Sequence, residues 1–193
     1  MTQETNLEAI RTFMIAAHGN LDQVKTTLAK HPEWLNVVYD WGGFAGNTET
    51  PVQAAAHVGN RPIAEYLLDQ GVPLQITTAA MLGRQQEVER LLQADPANVQ
   101  AVGGHGISLM NHAVYSMNTG LMQFILDRGA KMDSKTLFAP IAAGRADVVI
   151  WLVDHGAKDM TVRDFRGKTP LVVAVEEQQS EIADYLRAQG AVE

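Results

Sequence analysis

Cysteine is absent from all 193 residues. That excludes disulfides, thiolate metal sites and a cysteine nucleophile, and it fits a reducing compartment. Cations are few: 15 Lys plus Arg against 22 Asp plus Glu leave a formal charge of -7. Such a balance repels a phosphate backbone unless the cations cluster, and no cluster is visible in the chain, so no nucleic acid is expected as a partner. No apolar run approaches the roughly 18 to 20 residues that span a bilayer, so no membrane is expected either. The opening MTQETNLEAIRTF shows no basic segment followed by an apolar run, and the expected location is cytoplasmic. Recognisable catalytic patterns are missing as well. There is no HExxH, calcium-loop or dinucleotide fingerprint, and Ser108, Ser116, Ser134 and Ser180 lack an elbow-like glycine setting. No catalytic residue, metal site or cofactor is therefore expected, and the chain is read as a non-enzyme. What remains is a folded composition, 46% apolar and 19% charged, in a chain long enough for a sizeable core.

The chain repeats itself. A small-residue pair, a marker glycine, a polar residue, a Val/Ile/Leu-rich stretch and a closing Gly or Pro recur along its length. The marker falls at Gly19, Gly59, Gly83, Met117, Gly144 and Gln178. A closing glycine follows twelve residues later at Gly71, Gly129, Gly156 and Gly190. Each unit reads as two short helices, with the marker ending the first helix in a left-handed backbone conformation. The second helix carries apolar residues at helical spacing, as in Ile63, Tyr66, Leu67 and Val148, Trp151, Leu152. No such unit buries its apolar face alone, so the pattern predicts a stacked solenoid.

Thr50-Pro51-Val52-Gln53-Ala54-Ala55-Ala56 and Gly167-Lys168-Thr169-Pro170-Leu171 enter their helices through turns that resemble the TPLH segment of ankyrin repeats. With six units in register, the chain resembles a bacterial-type ankyrin repeat domain over about residues 7 to 193. That resemblance implies an all-α ankyrin-repeat solenoid: one domain spanning 1–193, with units near 7–36, 48–73, 74–98, 106–132, 133–160 and 167–193. It departs from the family pattern at the His of TPLH, which is here Gln53, Asn111 and Val172, so the turn-bridging hydrogen bonds must be altered or missing. Markers are spaced 40, 24, 34, 27 and 34 residues apart, against about 33 for the ankyrin consensus. The short units leave no room for a projecting finger, so fingers are predicted only at alternate junctions: 37–49, 99–107 and 161–167. Thr5 and Glu8 have capping-box spacing before the first helix, and the polar last unit is suited to closing the stack, so a complete solenoid is expected.

The resemblance implies that a protein or peptide partner is held on the fingers and inner helices. The expected concave face carries Met14, His18, His57, Val58, Met81, Leu82, His112, Tyr115, Ala142 and Glu176; the apolar members are also suited to packing between units. On the first finger, Tyr39, Trp41 and Phe44 either offer contact area or fold back over the first two units. Gly103-Gly104-His105-Gly106 lacks the Lys-Ser/Thr of a phosphate loop. His105 and His112 could converge as polar groups of a small-ligand or catalytic pocket, the alternative to a protein-binding role. Arg163-Asp164-Phe165-Arg166 tips the third finger, where its charges suit a carboxylate and Phe165 an apolar anchor, unless it is simply an exposed turn. Ile150 beside Trp151 marks a possible homodimer patch, so a monomer or weak homodimer is expected. The candidate partner-binding residues are thus Tyr39, Trp41, Phe44, His57, Met81, His105, His112, Tyr115 and Phe165.

Overall fold

The computed structural model describes residues 3–192. Its helices come in pairs that follow one another in order. The pairs are α1 (Gln3–Gly19) with α2 (Leu21–Lys30), α3 (Pro51–His57) with α4 (Arg61–Asp69), and α5 (Ile76–Met81) with α6 (Gln85–Ala94). They continue with α7 (Leu109–Ala113) and α8 (Thr119–Leu126), α9 (Phe138–Ala142) and α10 (Ala146–Asp154), and α11 (Pro170–Glu176) and α12 (Ser180–Ala188). Among the described residues the extended structure is confined to a two-stranded ribbon, β1 (Tyr39–Asp40) with β2 (Thr48–Glu49), and a bridge between Val102 and Ser108.

Local chemistry explains the pairing. Five of the six markers adopt left-handed backbone: Gly59, Gly83, Gly144 and, without the freedom of glycine, Met117 (φ 54°) and Gln178 (φ 58°). Gly19 differs, because α1 runs through it. The residue after the marker starts the outer helix. The side chains of Asn20, Asn60 and Asn118 accept the backbone N–H groups of Gln23, Ile63 and Leu121 at 3.0, 3.2 and 3.0 Å. Each cap satisfies a donor that the helix start would otherwise leave without a partner. The capping box expected at Thr5 does not form the start of α1, which already runs from Gln3.

Two of the three altered TPLH positions still bridge, Val172 having no polar side chain with which to do so. Gln53 Oε1 accepts the Thr50 N–H at 2.9 Å while its Nε2 donates to Gln75 Oε1 of the next unit at 3.2 Å. Asn111 donates to Ser108 Oγ at 2.9 Å and to Asp133 at 3.4 Å. An amide thus takes over the work of the family's imidazole, reaching from one turn to the next.

The buried side chains form two runs rather than one continuous interior. The first joins α1 to α4 and ends at Met81 and Leu82. The second begins at Ile76, Ala79 and Ala80 and continues to Ala191. They meet around α5, where Thr77 and Thr78 are buried polar residues, as is His112 of α7, and Tyr115 packs against both runs.

Tyr115 lies where only glycine fits its neighbour. Gly59 has φ +72°, and a Cβ there would stand 2.3 Å from the Tyr115 ring. Gly71 has φ +98° with open space around it. Gly71→Ala should therefore cost about 1 to 2 kcal/mol from backbone alone. Gly59→Ala should cost roughly 1 to 3 kcal/mol more, because the seam must repack. Urea unfolding of both variants checks this difference; equal losses would mean that the Tyr115 contact yields freely.

Candidate functional site

The first finger folds back onto the stack. Tyr39 is buried, and Trp41 packs edge-on against it with ring centroids 4.9 Å apart. Phe44 at the tip stays 62% exposed. Asn47 donates to the Gly42 carbonyl at 2.6 Å and holds the loop closed. This closure carries Glu49 inward, where it is 1% exposed.

Three imidazoles from separate parts of the chain surround that carboxylate. His18 ends α1, His57 ends α3, and His105 rides the short turn Gly104–Gly106 of the second finger. His18 Nε2 lies 3.4 Å from Glu49 Oε1; His57 Nδ1 and His105 Nε2 lie 3.1 and 3.2 Å from Oε2. The His57 ring is 4.9 Å from each of the other two, centroid to centroid. The Trp41 indole N–H donates to Oε1 at 2.7 Å. No ring is aligned to donate to Oε2, which accepts no hydrogen bond.

The imidazoles are oriented from behind. His18 Nδ1 lies 2.8 Å from the Met14 carbonyl, His57 Nδ1 3.1 Å from the Gln53 carbonyl, and His105 Nδ1 2.6 Å from Asn47 Oδ1. The acceptors of His18 and His105 call for an N–H on Nδ1, and that fixes their tautomer, whereas His57 Nδ1 is shared between the Gln53 carbonyl and Glu49 Oε2. The second finger reaches the cluster only because residue 104 is glycine: a Cβ there would stand 2.9 Å from Glu49 Cβ and 3.1 Å from Oε2. Burial raises the Glu49 pKa, but the His57 contact and the charges of His57, His18 and His105 outweigh it and hold the carboxyl below its ordinary range. Burial lowers the pKa of His105, and repulsion from His57 and His18 adds to that against the pull of Glu49.

A groove of about 760 Å³ opens beside the cluster. His57 and His105 stand at one end, the floor includes Val114, Tyr115, Phe138 and Ala142, and the third finger closes the other end with Arg163 and Phe165. Phe165 is 97% exposed.

The structure thus separates the residues that the sequence put together. His57, His105, Tyr115 and Phe165 share the groove, Trp41 stands behind the histidines, and Phe44 projects from the first finger. Tyr39, Met81 and His112 are buried, so their side chains are not contact surface. The expected His105–His112 pocket is not formed. His112 does not line the groove; its Nδ1 bonds the Ser108 carbonyl at 2.9 Å, and its Nε2 is buried without a partner where a Cβ on Gly103 would stand 2.7 Å away. His18, Glu49, His57 and His105 offer ligand atoms all within 4.8 Å of one another, a grouping that the sequence reading did not single out. Ile150 is exposed as expected, but Trp151 beside it stacks on His155 at 4.0 Å.

Stacked helix pairs with finger loops at alternate junctions are the architecture of an ankyrin-repeat solenoid. Residues 109–192, rather less than half of the chain, match the family described as ankyrin repeats in three copies. It is similar to the ankyrin repeat protein nuc-2 of Neurospora crassa, with 27% identity over 198 residues. That match takes in 94% of this chain but only 18% of the length of the relative. The histidine cluster lies outside the residues matched to the family. Among the described residues no helix is long and apolar enough to cross a membrane.

His112 generates a pH prediction. Burial lowers its pKa from 6.5 to about 4. An unfolded chain takes up this proton below pH 6.5 and the folded one does not until about pH 4. The stability contribution is therefore complete above pH 6.5 and is lost progressively as pH falls towards 4, by about 3 kcal/mol in all. Urea unfolding across that range should give a flatter pH dependence for His112→Leu than for the parent chain. Parallel curves would place the lost stability elsewhere.

Proposed function

We propose that the chain is a recognition module that holds an extended protein or peptide segment in the groove between the second and third fingers. Ankyrin repeats are generally protein–protein interaction modules and are typically non-catalytic. The observation that carries the reading is the groove itself: an apolar floor bordered by Lys135, Arg163 and Arg166 together with Asp133 and Asp164, in a chain whose formal charge is -7. Among the described residues neither Lys135 nor Arg163 belongs to an ion pair, whereas Arg166 is paired with Asp164. Free positive charge over apolar surface suits a segment that alternates carboxylates with apolar side chains.

The expected anchors are Phe165 and Tyr115, with His57, His105 and Phe138 as walls. Trp41 supports the wall from behind, and Phe44 extends the surface along the first finger. Phe165 is exposed before binding, so covering it contributes to affinity, with no cost of breaking an internal contact. The helices supply a preformed floor, so little affinity is lost to folding on binding.

Selection from a random displayed peptide library should enrich segments that combine acidic and apolar residues. Phe165→Ala should then weaken a selected peptide by about tenfold. The double change Lys135→Glu with Arg163→Glu should abolish binding while the helical circular dichroism stays unchanged. Enrichment of basic peptides, or equal binding by the folded variants, would defeat the assignment of the groove.

A further inference from the structure

We propose that His18, Glu49, His57 and His105 form a binding site for one divalent transition-metal ion of the zinc class, which fastens the first finger to the second. The argument starts from the tautomers. His18 and His105 each direct an Nδ1–H to an oxygen, which leaves the Nε2 lone pair facing the Glu49 carboxylate at 3.4 and 3.2 Å. Two acceptors facing each other at that distance repel. A cation must stand between them. Protons meet the need poorly. None of the three rings is aligned to donate to Oε2, so protons on them leave that oxygen without a partner. A single dication would be shared by the Nε2 lone pairs of His18 and His105, the Glu49 carboxylate and, once its proton sits on Nε2, His57 Nδ1.

The geometry agrees. Ligands about 2.0 to 2.2 Å from a tetrahedral zinc lie about 3.3 to 3.5 Å from one another. The nitrogen–oxygen separations here are 3.1 to 3.4 Å, and all four residues offer atoms within 4.8 Å of one another. The donor set of three imidazoles and one carboxylate, without thiolate, is that of zinc and its first-row neighbours rather than of calcium or magnesium. The outer shell is in place for two of the rings and the carboxylate: the Met14 carbonyl behind His18, the Asn47 amide behind His105, and the Trp41 indole on Glu49. Glu49 Oε2 is buried with no hydrogen-bond partner and points into the cluster, so it is an independent sign of a missing cation. The histidine side chains are 28%, 12% and 25% exposed, which leaves a path from the groove to the site.

The test uses the full chain without an affinity tag, stripped of metal with a chelator. Calorimetric titration with zinc chloride at neutral pH should show one ion per chain. With zinc at about a hundred times its Kd, the midpoint of thermal unfolding should rise by roughly 5 °C or more. Cobalt in place of zinc should give visible absorption of the intensity expected for a four- or five-coordinate ion. Glu49→Gln keeps the Trp41 contact and removes the charge; His105→Asn keeps a residue suited to the left-handed backbone found there (φ 57°). Each should weaken zinc binding at least tenfold. Should Glu49→Gln fail to fold, His105→Asn decides the matter, because its ring lies on a partly exposed loop. Absence of saturable zinc uptake by the parent chain would overturn the proposal. So would uptake that a folded His105→Asn variant matches.

Discussion

A carboxylate taken out of water must be answered by positive charge or by hydrogen bonds, and Glu49 is the place in this molecule where that demand is most acute. One oxygen receives the Trp41 indole N–H; the other receives none. Burial of an unanswered charge costs several kcal/mol, which is more than most single contacts in a small domain contribute. The three rings around Glu49, the glycine that lets the second finger approach, and the closed first finger all follow from that demand. The first finger is long, and a long loop is held down only by specific contacts. Here they converge on a single side chain: β2 carries Glu49, the preceding loop carries Trp41 and Asn47, and both of those residues bond the cluster.

The helix pairs were legible because every unit writes the same local chemistry. A left-handed marker, a polar cap and an apolar stripe specify an element within about a dozen residues, and repetition makes the pattern self-checking. Met117 and Gln178 show how strongly the stack enforces it, since both adopt positive φ where glycine would be easier. The alternation of long and short junctions likewise follows from counting residues. The division of the interior into two runs was not legible, because it depends on which buried positions are polar. Thr78 in α5 and His112 in α7 look unremarkable in sequence, yet both are fully buried where the two runs adjoin.

The histidines illustrate what sequence reading reached and what it missed. Ala16-Ala17-His18 and Ala55-Ala56-His57 are the same tripeptide, one and two residues before the markers of neighbouring units, and stacking sets those two rings 4.9 Å apart. That signal was available. His112 stands five residues before its marker, the place held by Ala54 and Thr78 in the preceding units, and those positions are buried. Tyr115, two residues before the marker like His57, takes the groove position instead. One turn of register thus separates a groove residue from a core residue. Glu49 gave no sequence signal at all. It is one acidic residue before a helix, and only closure of the finger buries it.

The short third unit explains why the cluster forms where it does. Without a finger between them, the first and second fingers are neighbours across α3, and the turn at Gly104–Gly106 comes to lie on β2 and α3. This contact spans the level at which the interior is split, joining residues of the first two units to a loop that belongs to the fourth. The apolar connection there is narrow, with Tyr115 packing on both sides of the polar level. A cohesive polar contact on the outer side of a weak apolar seam ties the two halves where hydrophobic burial does least. Between the second and third fingers no equivalent contact forms, and the space stays open as the groove. The same omission of fingers therefore has two results along one face: where a carboxylate draws neighbouring loops together the face is closed, and where none does it remains available to a partner.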